Sequence, residues 1–297
     1  MPSLNFRIVD AFTATPFQGN PAAVVLGGDE LSDGQMQRLA AEFNLSETVF
    51  ILKASSDRMP AVKLRWFTPV CEEGFCGHAT LAAIHAIVEQ TKLVPTEIAV
   101  ECVAGNLRVC VDPMASAGKR YWLSMPEPGL ADSQIPHDRL REILGVASSS
   151  DLAGPIMMTR DRDIIVLLHV GRQVRSLAPD MSALARFQHE QNVRGACIAS
   201  TDTGRPVIAC ISRFFAPGDG VAEDPVTGSV HGPLAALLIT TGRVAPIQPS
   251  RWTFDCQQVP GNGRLGTVHI RAESRSGKLA IEIGGSCVTV MSGTLTI

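Results

Sequence analysis

Glu72-Glu73-Gly74-Phe75-Cys76-Gly77-His78 occurs a second time as Glu223-Asp224-Pro225-Val226-Thr227-Gly228-Ser229, at an offset of 223 − 72 = 151. Two further segments keep this order. Arg65-Trp66-Phe67-Thr68-Pro69 matches Arg213-Phe214-Phe215-Ala216-Pro217 at 213 − 65 = 148, and Val103-Ala104-Gly105-Asn106-Leu107-Arg108 matches Val259-Pro260-Gly261-Asn262-Gly263-Arg264 at 259 − 103 = 156. The offsets are close to half of the 297 residues, which predicts a duplicated domain with a cleft between the copies.

The composition is that of a globular protein of two ordinary domains, with 45% hydrophobic and 19% charged residues. A net charge of −3 and 5% aromatic residues give no electrostatic or stacking footprint for nucleic acid. The chain has no basic N-terminal region followed by an apolar run, and no apolar run of about 18 residues, so we expect a cytoplasmic protein without a membrane partner. The eight cysteines are then buried free thiols more often than disulfides.

Each half consists of several short strand candidates and one apolar helix. Strands are predicted at 6–12, 22–26, 48–52, 62–67, 164–168, 196–199, 207–211, 279–283 and 287–290, with hairpins turned at Gly105-Asn106 and Gly261-Asn262-Gly263. Residues 32–43 are predicted to form a helix capped by Ser32. Residues 79–88 and 234–239 are apolar on nearly every face, which is typical of buried helices.

These elements predict an α+β fold of two halves, each a β-barrel wrapped around a central helix. The N-terminal half spans 1–124 and is joined by the C-terminal strand at about 285–297. The C-terminal half spans 125–284, and a Pro- and Gly-rich linker from 125 to 135 opens it.

The repeated motifs predict two anion sites at helix starts. A helix that begins at Gly77 or Gly228 has unpaired backbone N–H groups, a glycine that lets a ligand approach, and the positive end of the helix dipole. If the halves face each other, both termini could hold a carboxylate-bearing substrate. Alternatively, the glycines only permit tight helix packing.

The side chains at equivalent places differ. Cys76 matches Thr227, so a mechanism that passes a proton between two thiols is disfavoured. Glu47, between a helix and a strand, aligns with Gly195 at the 148 offset, which leaves one carboxylate base instead of two. A carboxylate enclosed in an apolar cleft has a raised pKa and can move a proton to and from carbon, although Glu47 could equally be a solvated helix-end acid.

The chain resembles the phenazine-biosynthesis PhzF-like family. The motifs that carry the resemblance follow the family's order and span most of the chain: Gly19-Asn20-Pro21-Ala22-Ala23-Val24-Val25, Asn44-Leu45-Ser46-Glu47-Thr48-Val49-Phe50, Arg65-Trp66-Phe67-Thr68-Pro69, Cys76-Gly77-His78-Ala79-Thr80 and Glu223-Asp224-Pro225-Val226-Thr227-Gly228-Ser229. The resemblance implies a diaminopimelate-epimerase-like fold, a homodimer and a cofactor-free isomerase, whose best-known member moves a proton within trans-2,3-dihydro-3-hydroxyanthranilate.

The resemblance also implies roles for individual residues. Glu47 inherits the acid/base role, and His78, Asp224 and Ser229 match polar residues of the same pocket. Further substrate contacts are expected from the residues Asn20, Ser46, Gly77, Thr227 and Gly228. The loop 72–75 departs from the family pattern, and the thiol of Cys76 is expected to be incidental.

Other chemistries fit the sequence less well. Cys71, Cys76 and His78 lack the fourth ligand and paired spacings of a zinc site. Cys76 and His78, two residues apart at a helix start, are expected to point in different directions and so not to form a nucleophile pair. No predicted strand is followed by the motif Gly-x-Gly-x-x-Gly, which disfavours a nicotinamide-binding protein. We therefore expect a cofactor-independent isomerase without a metal, acting on a small carboxylate; an amino-acid epimerase or racemase, or a non-catalytic carboxylate-binding protein, are the alternatives.

Overall fold

The structure, a computed structural model, describes residues 3–55, 61–91, 95–103, 105–113 and 118–296. The chain divides into two compact units, Met1–Ser124 with Ile283–Ile297, and Met125–Glu282. No helix among the described residues is long and apolar enough to cross a membrane.

The first unit contains most of its strands before residue 125. In chain order its elements are β1 (Ser3–Ala11), β2 (Asn20–Leu26), α1 (Asp33–Phe43), β3 (Glu47–Lys53), β4 (Ala61–Phe67), β5 (Glu72–Glu73), α2 (Gly77–Thr91), β6 (Glu97–Cys102), β7 (Gly105–Asp112) and β8 (Arg120–Ser124).

The second unit follows, and the last strand of the chain returns to the first. These elements are β9 (Ala131–Asp132), α3 (His137–Leu144), β10 (Met157–Met158), β11 (Asp163–Leu167), α4 (Gly171–Ser176), α5 (Met181–Gln191), β12 (Gly195–Ser200), β13 (Cys210–Ala216), β14 (Val221–Asp224), α6 (Gly228–Thr240), β15 (Arg251–Gln258), β16 (Gly266–Arg275), β17 (Lys278–Gly285) and β18 (Cys287–Thr296).

The two units repeat one sheet topology, which confirms the duplication. In the first, β2 is parallel to β3, β3 antiparallel to β4, β4 parallel to β6, and β6 antiparallel to β7. In the second, β11 is parallel to β12, β12 antiparallel to β13, β13 parallel to β15, and β15 antiparallel to β16.

A central helix fills each unit, as predicted. In α2 every residue from Gly77 to Ala86 is buried, and the helix packs against β1, β2, β3, β8 and β18. In α6 the residues from Val230 to Leu238 are buried, and the helix packs against β16. A helix that is apolar on all faces is stable only where neighbouring strands cover all of them. The predicted α+β class with two similar halves is confirmed.

The helices α1 and α5 are also copies of each other, at 181 − 33 = 148. A side chain caps each at its start, because Ser32 accepts from the Gln35 N–H and Asp180 from the Ala183 N–H. Each ends at an asparagine in the left-handed conformation, Asn44 at φ 49° and Asn192 at φ 51°.

The repeated Arg and Glu residues form the same ion pair in both units. Arg65 Nε donates to Glu72 Oε1 at 2.7 Å, and Arg213 Nε donates to Glu223 Oε1 at 2.7 Å. Each pair ties a long strand to the short strand that precedes the central helix. These residues of the repeated motifs are therefore structural, and they hold the helix start in place.

The sequence prediction fails in three local details. The first hairpin turns before Gly105 and not at Gly105-Asn106, because Cys102 pairs with Gly105; Ala104 lies outside the described residues. The strand predicted at 207–211 runs from Cys210 to Ala216, where its side chains are buried. The helices α3, α4 and α5 were not predicted, since their apolar faces are short and become clear only against the core of the second unit.

Candidate active site

Glu47 begins β3, three residues after the left-handed Asn44 that ends α1. The chain reverses at this cap and enters the strand, where Glu47 pairs with Ala22 of the parallel strand β2. The Glu47 side chain is 20% exposed, so its carboxylate is largely enclosed and still reachable. The alternative of a fully solvated helix-end acid does not describe this position.

His78, the second residue of α2, lies against this carboxylate. Its Nε2 is 3.2 Å from Glu47 Oε2, and its side chain is 5% exposed. Two more of the residues singled out from the sequence contact the ring: Asn20 Nδ2 lies 3.3 Å from Nδ1, and Ser46 Oγ lies 3.5 Å from Nε2. The structure thus brings Asn20, Ser46, Glu47 and His78 together in the first unit, with Gly77 as the first residue of the helix beneath them.

Cys76 belongs to the same cluster, contrary to the sequence-based expectation. Its Sγ is 3.4 Å from His78 Nδ1, and the residue is buried. The expectation that the two side chains diverge assumed regular helical directions at both positions. Cys76 instead precedes the first helical residue, so its side chain is free to turn toward the ring.

Asp224 and Thr227 form the corresponding cluster in the second unit. Thr227 donates its hydroxyl to Asp224 Oδ2 at 2.5 Å and its backbone N–H to Gln258 Oε1 at 2.9 Å. Gln258, which is fully buried, donates in turn to the Asp224 carbonyl at 2.6 Å. Because both Thr227 donors are used within the protein, this residue positions Asp224 and the start of α6 at Gly228.

His231 anchors the first turn of α6 in its neutral form. Its Nδ1–H donates to the Thr227 carbonyl at 2.7 Å, and Nε2 accepts from the Ser212 hydroxyl at 3.3 Å. Complete burial lowers the pKa of His231 to about 4 from an ordinary value of 6.5. The sequence had not singled out Ser212 or Gln258, and a buried polar partner of this kind leaves no local pattern.

Acid is expected to destabilise the protein through His231. In the unfolded chain His231 binds a proton below pH 6.5, whereas in the folded protein it stays neutral until about pH 4. The free energy of unfolding therefore falls as the pH is lowered from 6.5 to about 4. A pKa difference of this size corresponds to about 3 kcal/mol. His231→Asn, whose amide can still donate to Thr227, should flatten the change, as measured by urea unfolding at a series of pH values.

The control is His189→Asn at an exposed position of α5. Burial raises the pKa of Asp163 to about 6, so protonation of Asp163 increases the free energy of unfolding as the pH falls below 6. Because this change opposes that of His231, each variant must be compared with wild type. An equally steep pH dependence in His231→Asn would contradict the assignment.

Arg194, which contacts Ser229 in the second unit, was not singled out from the sequence. It forms a bidentate ion pair with the buried Asp163 and donates to Ser229 Oγ at 3.1 Å. Its guanidinium lies 5.7 Å from the centre of the Phe214 ring. The same 148 offset aligns Arg194 with Ser46, which could have drawn attention to it.

The second unit has no room for a counterpart of Glu47. Gly195 begins β12 as Glu47 begins β3, and a Cβ added there would lie 2.1 Å from Phe214 Cζ. The Phe214 ring therefore occupies the place of an acidic side chain. The pairing of Glu47 with Gly195 is borne out by the fold.

One group of side chains among the described residues could hold a metal ion. Glu47, Cys76 and His78 each offer one ligand atom within 4.8 Å of the others. Cys71, considered earlier as a ligand, is exposed and contacts Thr68 and Glu73 instead. An ion bound by this group would occupy the Glu47 carboxylate.

The family model described as phenazine biosynthesis-like protein matches residues 9–293. A trans-2,3-dihydro-3-hydroxyanthranilate isomerase from Pseudomonas fluorescens is 32% identical over 99% of this chain and 99% of its own. The crystal structure of a PhzF-family phenazine biosynthesis protein from Bacillus anthracis has a TM-score of 0.89 and 26% identity over 100% of both chains. A hydroxyproline epimerase from Agrobacterium vitis, 14% identical with a TM-score of 0.65 over 99% of this chain and 92% of that one, shows a shared fold alone.

The duplicated fold and the full-length relatives define an isomerase with an epimerase-like architecture. The chain belongs to the phenazine biosynthesis-like protein family. The predicted family and enzyme class are confirmed; the site residues, the substrate and the mechanism stay predictions.

Proposed function

We propose that the protein is a cofactor-independent isomerase that moves a proton within a small carboxylate-bearing substrate, with Glu47 as its single acid/base group. Glu47 takes a proton from carbon and returns it at another atom of the same molecule. His78, whose Nε2 lies 3.2 Å from Glu47 Oε2, keeps the Glu47 carboxylate in one orientation toward the substrate.

The proposal rests mainly on the different residues found at the equivalent starts of β3 and β12. Glu47 contacts a buried imidazole in the first unit, whereas Gly195 faces the Phe214 ring in the second. A racemase with two equivalent bases needs an acid at both strand starts, or a thiol at both of the positions that Cys76 and Thr227 occupy. One base favours transfer of a proton between two atoms of one substrate.

Each unit, taken by itself, offers groups that favour a carboxylate. The residues Gly77 and Gly228 begin the two central helices, whose N–H groups favour an anion. Arg194, whose charge is paired with Asp163, donates a hydrogen bond to Ser229. The Pseudomonas fluorescens relative is named for an amino-bearing cyclic carboxylate, which is therefore the first substrate to test. Substrate contacts of Asn20, Ser46, Asp224 and Ser229 remain part of the proposal.

The decisive assay uses trans-2,3-dihydro-3-hydroxyanthranilate in D₂O, followed by ¹H NMR. An isomerase yields a product with a relocated double bond and no cofactor requirement. An epimerase instead equilibrates two stereoisomers with deuterium at the α-carbon. Binding of this compound or of related carboxylates without any turnover would contradict the proposal in favour of a binding protein.

Location and assembly complete the proposal. A reducing compartment such as the cytoplasm suits eight cysteines that are all thiols. A homodimer is proposed from the family resemblance, with small molecules as the remaining partners. Sedimentation of the purified protein would test the assembly state.

A further inference from the structure

The Glu47–His78 pair includes a thiol that a single-glutamate reaction does not require. Cys76 Sγ lies 3.4 Å from His78 Nδ1, while the other ring nitrogen, Nε2, lies 3.2 Å from Glu47 Oε2. Both Cys76 and His78 are less than 8% exposed. One buried imidazole therefore bridges a thiol and a carboxylate.

The surrounding hydrogen bonds define which ring nitrogen carries the proton. Ser46 donates its hydroxyl to Asn20 Oδ1 at 3.3 Å, which leaves the Asn20 amide nitrogen to donate to His78 Nδ1 at 3.3 Å. Nδ1 is then an acceptor, and the ring proton sits on Nε2, which lies 3.2 Å from Glu47 Oε2 and 3.5 Å from Ser46 Oγ. The Cys76 thiol, with Sγ 3.4 Å from Nδ1, consequently shares this acceptor with the Asn20 amide.

This arrangement fits proton transfer better than metal binding. A bound ion takes one nitrogen of an imidazole and draws its other ligands to that nitrogen. Here the sulfur and the carboxylate oxygen meet different nitrogens, as in the acid–histidine–nucleophile series of hydrolases. A ring used at both nitrogens can pass a proton from one side to the other.

We propose that Cys76 and His78 form a proton relay to Glu47, in which His78 delivers the second proton of the isomerisation and Cys76 replaces it. This inference rests on the proposed function of Glu47 as the base, and it differs from that function in the second step, where His78 instead of Glu47 gives a proton to the substrate. Cys76 acts through His78 and is a positioning residue for that proton.

The relay balances over one turnover. Glu47 takes a proton from substrate carbon and becomes neutral. The Nε2 proton of His78 passes to the second substrate atom while the Cys76 S–H proton moves to Nδ1, which leaves a thiolate and a neutral ring of the other tautomer. Glu47 then protonates Nε2, Nδ1 returns its proton to Cys76, and the starting state is restored without an external acid.

The test follows a label through the reaction. The probe is trans-2,3-dihydro-3-hydroxyanthranilate that carries deuterium at the carbon from which the proton is removed, with wild-type enzyme in H₂O. With enzyme in excess, so that each enzyme molecule turns over once, the relay gives a product that receives its hydrogen from His78 and loses nearly all of the label. In Cys76→Ala, Glu47 must return the proton that it took, so the product retains label and kcat falls by about 10-fold or more with KM little changed.

The conservative variant separates proton transfer from mere packing. Cys76→Ser preserves a hydrogen bond to Nδ1, but an alcohol does not give up its proton readily, so its label retention and kcat should match those of Cys76→Ala. Cys71→Ser, at an exposed thiol outside the cluster, should behave as wild type. Full activity and unchanged label loss in both Cys76 variants would overturn the relay.

A second measurement needs no turnover, so failure of the proposed reaction can be told apart from failure of the relay. Iodoacetamide alkylation of Cys76, resolved by peptide mass spectrometry near neutral pH, should be about 10-fold slower in His78→Gln, which lacks the base that accepts the thiol proton. Alkylation of Cys71 should not change. Equal rates at Cys76 in the two proteins would refute the thiol–imidazole pair, even if the probe is not a substrate.

Discussion

Replacement of Glu47 by Gln is expected to lower kcat by about 10²- to 10⁴-fold, the range that general acid–base catalysis supplies. In the wild type, His78 Nε2 lies 3.2 Å from the carboxylate. The amide has nearly the same shape and can still contact Nε2, but it cannot accept a proton from carbon. Substrate affinity should change little. Product formation and deuterium incorporation in D₂O, measured with trans-2,3-dihydro-3-hydroxyanthranilate, check the result.

The matched control is Glu42→Gln on the exposed face of α1, which removes the same charge outside the cluster. It should retain wild-type kcat. Ligand binding by Glu47→Gln, followed by calorimetry, separates lost chemistry from lost structure. An enzyme that keeps more than a tenth of its kcat without Glu47 would show that another group moves the proton.

Replacement of Gly195 by Ala is expected to lower the free energy of unfolding by about 1–3 kcal/mol, the usual cost of overpacking a core. The added Cβ would lie 2.1 Å from Phe214 Cζ and 2.7 Å from Cε1, so the ring must move. Urea unfolding followed by circular dichroism measures the loss. Gly195→Glu, which restores the symmetry with Glu47, is expected not to fold.

A smaller side chain at position 214 provides the internal check. In a double-mutant cycle, Phe214→Leu should offset part of the cost of Gly195→Ala, because it removes the atoms that the Cβ meets. Gly74→Ala is the control, since nothing lies within 4 Å of a Cβ there. Additive effects of the two substitutions would show that the ring does not exclude a second acid.

The repeat made much of the fold predictable from local patterns. All-round apolarity marked 79–88 and 234–239 as buried helices, and the structure extends them to Gly77–Thr91 and Gly228–Thr240. The helix α5 was missed, although its caps Asp180 and Asn192 stand at the same offset from Ser32 and Asn44. A stricter use of the duplication would have found it, because both ends of the helix carry side-chain signals.

The side-chain cluster was predictable only in part. Resemblance to the family drew Asn20, Ser46, Glu47 and His78 into one proposed site, and the structure brings all four together. The contact of Cys76 with His78 was predicted wrongly, since residues two apart were assumed to follow helical directions. Where a helix begins decides that direction, and spacing alone does not report it.

The amino-acid sequence by itself determined the duplication, the two buried helices that begin at glycine, and the presence of one candidate acid. These follow from composition, periodicity and repeated motifs, which depend on neighbours along the chain. Only the tertiary structure decided that Cys76 lies beside His78 and that Arg194 pairs with Asp163. It also decided that the Phe214 ring fills the space that a side chain at position 195 would need. Each of these depends on side chains brought together from separate strands and helix starts, at distances that a linear pattern does not encode.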